Sequence, residues 1–295
     1  MDGVINFFKP RGMTSHDAVY FFRRLLKIKK IGHTGTLDPN ATGVLPICIG
    51  KATRISEYLL GVDKEYIGEL TLGVSTDTQD SDGIVTNKSI KKVTDDEIKS
   101  VFSSFKGNIL QVPPMYSALK IDGKKLYDLA REGKHVERKP REVSIKSLTI
   151  MDIHNSKEII FKTKCSRGTY IRTLCDDIGI SLGTYGYMSY LLRTGVGNFR
   201  IENAYGMETL QNMNNGQVLD ILIPLDEAIS HIERIDVPDG FYKRLVNGAL
   251  IPMGDNYMCS LDNSFRIYCR QNFIGIGNIL MREGCFYLKM DKVLL

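Results

Sequence analysis

A chain of 295 residues has room for one large domain and a small one, and 43% hydrophobic with 25% charged residues excludes a disordered or fibrous protein. No apolar run approaches the roughly 18–20 residues of a membrane helix, and the segment Met1-Asp2-Gly3-Val4-Ile5-Asn6 lacks the basic-then-apolar pattern of an export signal, so a cytoplasmic location and no membrane partner are expected. The net charge of +5 resides in residues 1–60, which hold nine Lys or Arg against four Asp or Glu and so favour a polyanionic partner.

In chain order, Ser15 is expected to cap a helix with apolar positions Ala18, Val19, Phe22, Leu25 and Leu26. The run Arg23–Lys30, five basic residues without an acid, ends it and reads equally as a solvated helix face. Glycines and a proline predict irregular chain from Gly32 to Gly43. Tyr66–Gly73 reads as a strand, with Tyr66, Leu70 and Leu72 on one face and Glu69 and Thr71 on the other. The pair Thr94 and Glu97 predicts a capping box for a helix that packs Ile98, Val101, Phe102 and Phe105 and stops at Gly107.

Residues 108–142 differ in kind. They contain Pro113-Pro114, and from Lys120 to Glu142 they carry eight Lys or Arg against five Asp or Glu. A long excursion of this sort in a compact domain is usually functional. A strand over Ile159–Cys165 and a helix burying Ile171, Leu174, Cys175 and Ile178 follow. Beyond residue 231, short alternating runs (Phe265–Arg270, Phe273–Ile279, Cys285–Met290) suggest an appended β-barrel, so the expected domains are 1–231 and 232–295. The six cysteines form no Cys-x-x-Cys pair and no zinc spacing with the histidines; buried free thiols and no metal are expected.

The most unusual segment runs from Gly32 to Gly43 and holds His33, two threonines and Asp38-Pro39. It has no phosphate-cradling Gly-x-x-x-x-Gly-Lys pattern. Residues alone establish a stiff loop presenting one carboxylate, and an Asp-Pro turn whose carboxylate bonds only nearby backbone would have the same signature. A lone histidine such as His33 is most often structural. Tyr66 taken alone is a core aromatic on a strand, and Arg172 taken alone is a helix-surface ion pair.

The string GHTGTLDPNATGVLPICIGKATR resembles the catalytic motif of the TruB family of tRNA pseudouridine synthases. Further motifs resemble that family in the same order: Lys9-Pro10 with Gly12-Met13-Thr14-Ser15; Lys64-Glu65-Tyr66 with Leu72-Gly73; Thr76-Asp77-Thr78 with Asp80, Asp82 and Gly83; Pro114 to Lys120; and Arg167 to Leu174. The resemblance spans residues 9 to about 195. It implies an α/β (α+β) fold with a mixed, mainly antiparallel sheet and flanking helices. The C-terminal part resembles, more loosely, a reduced PUA domain, an RNA-binding β-barrel. Its charges are nearly balanced, eight basic against seven acidic over residues 233–295, so a purely structural appendage is the other reading.

The implied activity is isomerisation of uridine 55 in the T-arm of tRNA to pseudouridine, with no cofactor. Asp38 is the implied nucleophile on a flipped-out uridine; whether it acts on the sugar or the ring is left open. Arg172 would supply its counter-charge and orient it, and Asp80 would hold Arg172 from the other side. Tyr66 would stack on the uracil and put its hydroxyl near the base edge, a catalytic place that suits binding and proton removal, and His33 would fill space left by the departing base. Lys9, Tyr116, Lys120 and Tyr170 are the implied RNA or substrate contacts, and 108–142 the insertion that grips RNA. Thr34 and Asn40-Ala41-Thr42 depart from the guide-RNA-dependent relatives, so a stand-alone monomer without guide RNA is expected. The alternative is a non-catalytic RNA-binding or tRNA-folding protein on the same scaffold.

Overall fold

The computed structural model describes residues 1–121, 123–134, 136–253, 261 and 263–295. The N-terminal strand β1 (Gly3–Lys9) leads into α1 (Ser15–Leu26), whose buried Ala18, Val19 and Phe22 face the sheet. The cap is Thr14, not Ser15: its side chain accepts from the Asp17 amide while the Asp17 carboxylate accepts from the Thr14 amide, which completes a capping box. β2 (Ile31–His33) and β3 (Thr42–Ile49) follow, so the irregular stretch is shorter than expected, 34–41. Pairing of Gly32 and His33 with Cys48 and Ile47 overrides the local glycine signal.

After α2 (Ser56–Leu60) comes β4 (Lys64–Leu72), which buries alternate residues from Lys64 through Tyr66 to Leu72. The hairpin β5 (Val74–Thr76) and β6 (Val85–Lys88) precedes α3 (Asp95–Ser104), which opens with the expected Thr94–Glu97 box. β7 (Gly107–Gln111) pairs with a long later strand, so residues 108–111 belong to the main sheet and the excursion proper runs over 112–140. It contains the small hairpin β8 (Lys120–Ile121) and β9 (Lys124–Lys125), then α4 (Leu126–Arg131), around its own small core of Met115, Leu126 and Leu129. β10 (Arg141–His154), β11 (Glu158–Cys165), α5 (Ile171–Ser181), β12 (Gly186–Val196) and β13 (Phe199–Arg200) complete this part.

The main sheet has the order β1-β3-β12-β4-β11-β10-β7, with β2 and β13 at its sides. Only β3 and β12 run parallel in it; the other pairings are antiparallel. One core lies between β4, β10, β11 and β12 and the helices α3 and α5; another lies between β1, β3 and α1. The two meet at the β3–β12–β4 junction, where the site is built.

The C-terminal part contains β14 (Arg234–Asp236), β15 (Ile251–Met253), β16 (Ser264–Cys269), β17 (Asn272–Arg282) and β18 (Cys285–Val293), paired in the order β14-β16-β17-β18-β15. This sheet curls into a half-barrel around Ile267, Ile274 and Leu288. Among the described cysteines, 48, 165, 175 and 269 are buried free thiols, but Cys285 is exposed at the start of an edge-proximal strand, contrary to expectation; Cys259 lies outside the described residues.

Candidate active site

The 34–41 loop is pinned by residues that precede it in the chain. Ser15, freed from capping, accepts a hydrogen bond from the Leu37 amide (2.8 Å) and donates to the Leu37 carbonyl (3.2 Å). Lys9 is fully buried, and its ammonium donates to the carbonyls of Met13 (2.7 Å), Pro10 (2.9 Å) and Pro39 (3.2 Å). A cation so engaged is closed to solvent in this structure. It locks the residue after Asp38 to the end of β1. Burial, then the charge of Arg193, lowers its pKa to about 8.

Arg172, the second residue of α5, brings the parts together. Its guanidinium donates through Nη2 to Asp38 Oδ1 (3.3 Å) while Nε lies 3.0 Å from Asp38 Oδ2, a two-point ion pair that orients the carboxylate. The remaining donors reach the Tyr116 carbonyl (2.9 Å), the Thr78 carbonyl (3.1 Å) and Asp80 Oδ2 (3.5 Å). Arg172 is 6% exposed and Asp38 38%, so the cation is floor and the carboxylate faces the opening. Asp80 is fixed in turn by the Thr78 hydroxyl (2.5 Å) and the Asp82 amide (3.1 Å). Burial raises its pKa, against the pull of Thr78 and Arg172.

The loop holding Asp80 is clamped to α5 as well. Gln79 has a left-handed backbone (φ 63°); its amide donates to Asp176 Oδ2 (2.8 Å) and accepts from the Thr173 hydroxyl (2.9 Å). On the other side, buried Gln111 grips the Tyr170 backbone, donating to its carbonyl (3.3 Å) and accepting from its amide (3.1 Å). The backbone just before Arg172 is thus fixed, and burial raises the Tyr170 hydroxyl pKa.

Tyr66 projects from β4 on the buried face, and burial pushes its hydroxyl up to about 12, so it stays protonated at neutral pH. His33 is largely buried with Nδ1 unpartnered; burial, then Arg193, lowers its pKa and keeps the ring neutral. Tyr116 meets Arg172 through its carbonyl, whereas Lys120 is exposed out on the hairpin of the 112–140 segment, near Lys124, Lys125 and Arg131.

Sequence reading missed Arg193, which is 2% exposed beneath this site, along with Gln79, Gln111 and the pinning role of Ser15. A charged residue inside the apolar strand Leu191-Leu192-Arg193 was the available signal for the first. The glutamines carry none, because their partners lie 59 or more residues away. The assembled groups present one oriented carboxylate, ringed by buried cations, beside a phenol.

The model described as TruB family pseudouridylate synthase (N terminal domain) matches residues 23–171, and that of the tRNA pseudouridylate synthase B C-terminal domain matches residues 172–230. Curated relatives named tRNA pseudouridine synthase B include those of Alkaliphilus oremlandii (47% identical, covering 100% of this chain and 98% of that protein) and Clostridium tetani (42%, 98% and 99%). Among solved structures, a chain of a Cbf5-Nop10-Gar1 complex is similar with a TM-score of 0.79 at 26% identity, covering 99% of this chain and 85% of that one. A chain of an H/ACA RNP bound to a substrate RNA has the same fold, with a TM-score of 0.76 at 24% identity over 99% of this chain and 85% of that one. Matched by both parts of the family model and over its whole length by these relatives, the chain belongs to the TruB family of pseudouridylate synthases.

Proposed function

We propose that this synthase converts uridine 55 in the T-arm of tRNA to pseudouridine, with Asp38 as the nucleophile on a uridine turned out of the helix, and without guide RNA or cofactor. The observation that carries the reading is the two-point grip of Arg172 on Asp38 at 3.0 and 3.3 Å, with the carboxylate left open to a ligand. A turn residue would spend its carboxylate on nearby backbone; this one is aimed outward by a buried cation from a helix 134 residues away. The relatives' names support tRNA as the substrate.

In this reading the uracil stacks on Tyr66, and the neutral ring of His33 occupies space vacated by the base, offsetting part of the flipping cost of a few kcal/mol. Arg172 holds Asp38 in line, and Asp80 holds Arg172. The basic side chains Lys120, Lys124, Lys125 and Arg131 of the 112–140 segment, and the exposed cations Arg24 at the end of α1 and Lys27, Lys29 and Lys30 after it, supply phosphate contacts. The C-terminal half-barrel adds RNA surface.

The test is wild-type and Asp38→Asn protein incubated with unmodified tRNA transcript, with pseudouridine assayed at each position. The expected result is product at position 55 from the wild type only, with tRNA bound by both. Turnover by Asp38→Asn would remove the nucleophile assignment, product elsewhere would change the site, and binding without turnover by the wild type would make the chain an RNA-binding or RNA-folding protein.

A further inference from the structure

Arg193 stands directly opposite Tyr66 in the antiparallel β12–β4 pair and next to Gly43 in the parallel β12–β3 pair. Directly opposed residues share a face of the sheet with adjacent side chains, and the guanidinium charge lies close enough to the Tyr66 hydroxyl to favour its ionised form. Other donors of Arg193 reach the Val44 carbonyl (2.7 Å) and the Gly35 carbonyl (3.4 Å). Those two carbonyls flank the loop that carries Asp38, so one side chain ties both ends of that loop to the tyrosine.

The charge of Arg193 is the unusual part. Among the described residues no carboxylate lies within 4.0 Å of its nitrogens, whereas Arg172 is held between two. Its surroundings are otherwise cationic or neutral, with Lys9, Lys64 and His33 close enough to feel its charge, and Asp38 acts on it from beyond contact distance. A buried cation without a partner is costly, and a neutral donor could serve the two carbonyls. The resting structure therefore leaves the positive charge without a contacting anion.

Cleavage of the uridine C1′–N1 bond provides one. The bond's electron pair leaves with the ring on N1, so the detached uracil is an anion until C1′ is rejoined at carbon 5. A guanidinium charge beside the phenol oxygen makes the hydroxyl more acidic and so strengthens it as a donor to that anion. We propose that Arg193 is a positioning residue for this reaction: through the Tyr66 hydroxyl it stabilises the uracil anion, while its bonds to Gly35 and Val44 keep the Asp38 loop in register with the tyrosine. This rests on the pseudouridine-forming reading given above.

The test is single-turnover pseudouridine formation on tRNA transcript, with tRNA affinity measured alongside, for the wild type, Arg193→Met, Arg193→Lys, Tyr66→Phe and the two double variants. Arg193→Met is expected to slow the chemical step by about 100-fold, the scale of losing one donor to a developing anion, with affinity unchanged. Arg193→Lys, which keeps the charge, is expected to recover about tenfold of that loss. Combined with Tyr66→Phe, either substitution is expected to cost little more than the tyrosine change alone, because the group it acts through is gone. If Arg193→Met does not fold, the cycle with Arg193→Lys decides in the same way. Additive effects, equal rates for Met and Lys, or a loss confined to affinity would overturn the proposal and leave Arg193 a structural tie. An inactive wild type would instead take down the underlying reading, and this proposal with it.

Discussion

At the scale of single residues, the site separates charged groups by where they can move. Lys9, Arg172 and Arg193 are buried and held by local acceptors, so the cationic field around Asp38 is built into the fold and does not depend on flexible surface chains. His33 is the neutral exception. Because burial and the nearby Arg193 hold its pKa below the ordinary 6.5, the unfolded chain takes up a proton that the folded chain resists. Its contribution to stability is therefore complete above pH 6.5 and is lost as the pH falls below that value. Replacing His33 by Asn is expected to flatten the decline of Tm between about pH 7 and pH 5. Thermal melts across that range check it; an unchanged slope would assign the effect to another residue such as His231, whose pKa desolvation also lowers.

At the scale of elements, the parallel contact of β3 with β12 is the joint from which the site hangs. Gly43 has φ +109°, and a Cβ there would lie 2.2 Å from the Arg193 carbonyl oxygen, so both conformation and space exclude a side chain. Gly43→Ala is expected to destabilise the protein by on the order of 2–4 kcal/mol and to reduce pseudouridine formation in the protein that remains folded, since it pushes β3 and the Asp38 loop away from Arg193. Gly12 is the matched control: its φ is +82° but nothing lies within 4 Å, so Gly12→Ala is expected to cost only the backbone strain, about 1–2 kcal/mol. Urea unfolding of both variants makes the comparison, and equal costs would mean that the β3–β12 approach relaxes freely.

For the whole molecule, the C-terminal half-barrel does not hang on a tether. Ile276 of β17 and Leu294 are buried in one cluster with Val44, Ala52, Ile55 and Leu59 from the β3–α2 region. Around them Arg54 donates to the Val293 carbonyl (2.6 Å), Lys292 to the Arg54 carbonyl (2.8 Å) and Tyr58 to Asp291 (2.9 Å). A shared core predicts shared unfolding. Ile276→Ala is expected to lower stability by about 2–5 kcal/mol in a single cooperative transition. Calorimetry distinguishes this from two independent bodies, for which the variant would split off an early transition and leave the main one in place. The same rigidity would hold any RNA surface on the half-barrel at a fixed distance from Asp38.

Much of this protein was legible in its sequence, for reasons that differ by residue. The Thr94–Glu97 cap, the alternation of β4 and the apolar spacing of α5 are local, and short-range physics decides them. Asp38, Arg172 and Asp80 stood in motifs whose order resembled one family, so their company could be expected before their distances were known. Only the tertiary structure decided the rest. It moved the α1 cap to Thr14 and gave Ser15 to the Leu37 backbone, made Lys9 a buried pin between the end of β1 and the Asp38 loop, and set Arg193 opposite Tyr66. Each depends on a partner distant in sequence or on a strand register, and no periodicity or propensity encodes what lies across the sheet. Residue type by itself determined what chemistry the chain could carry; the pairing of β12 with both β3 and β4 decided which charges would be brought to bear on it.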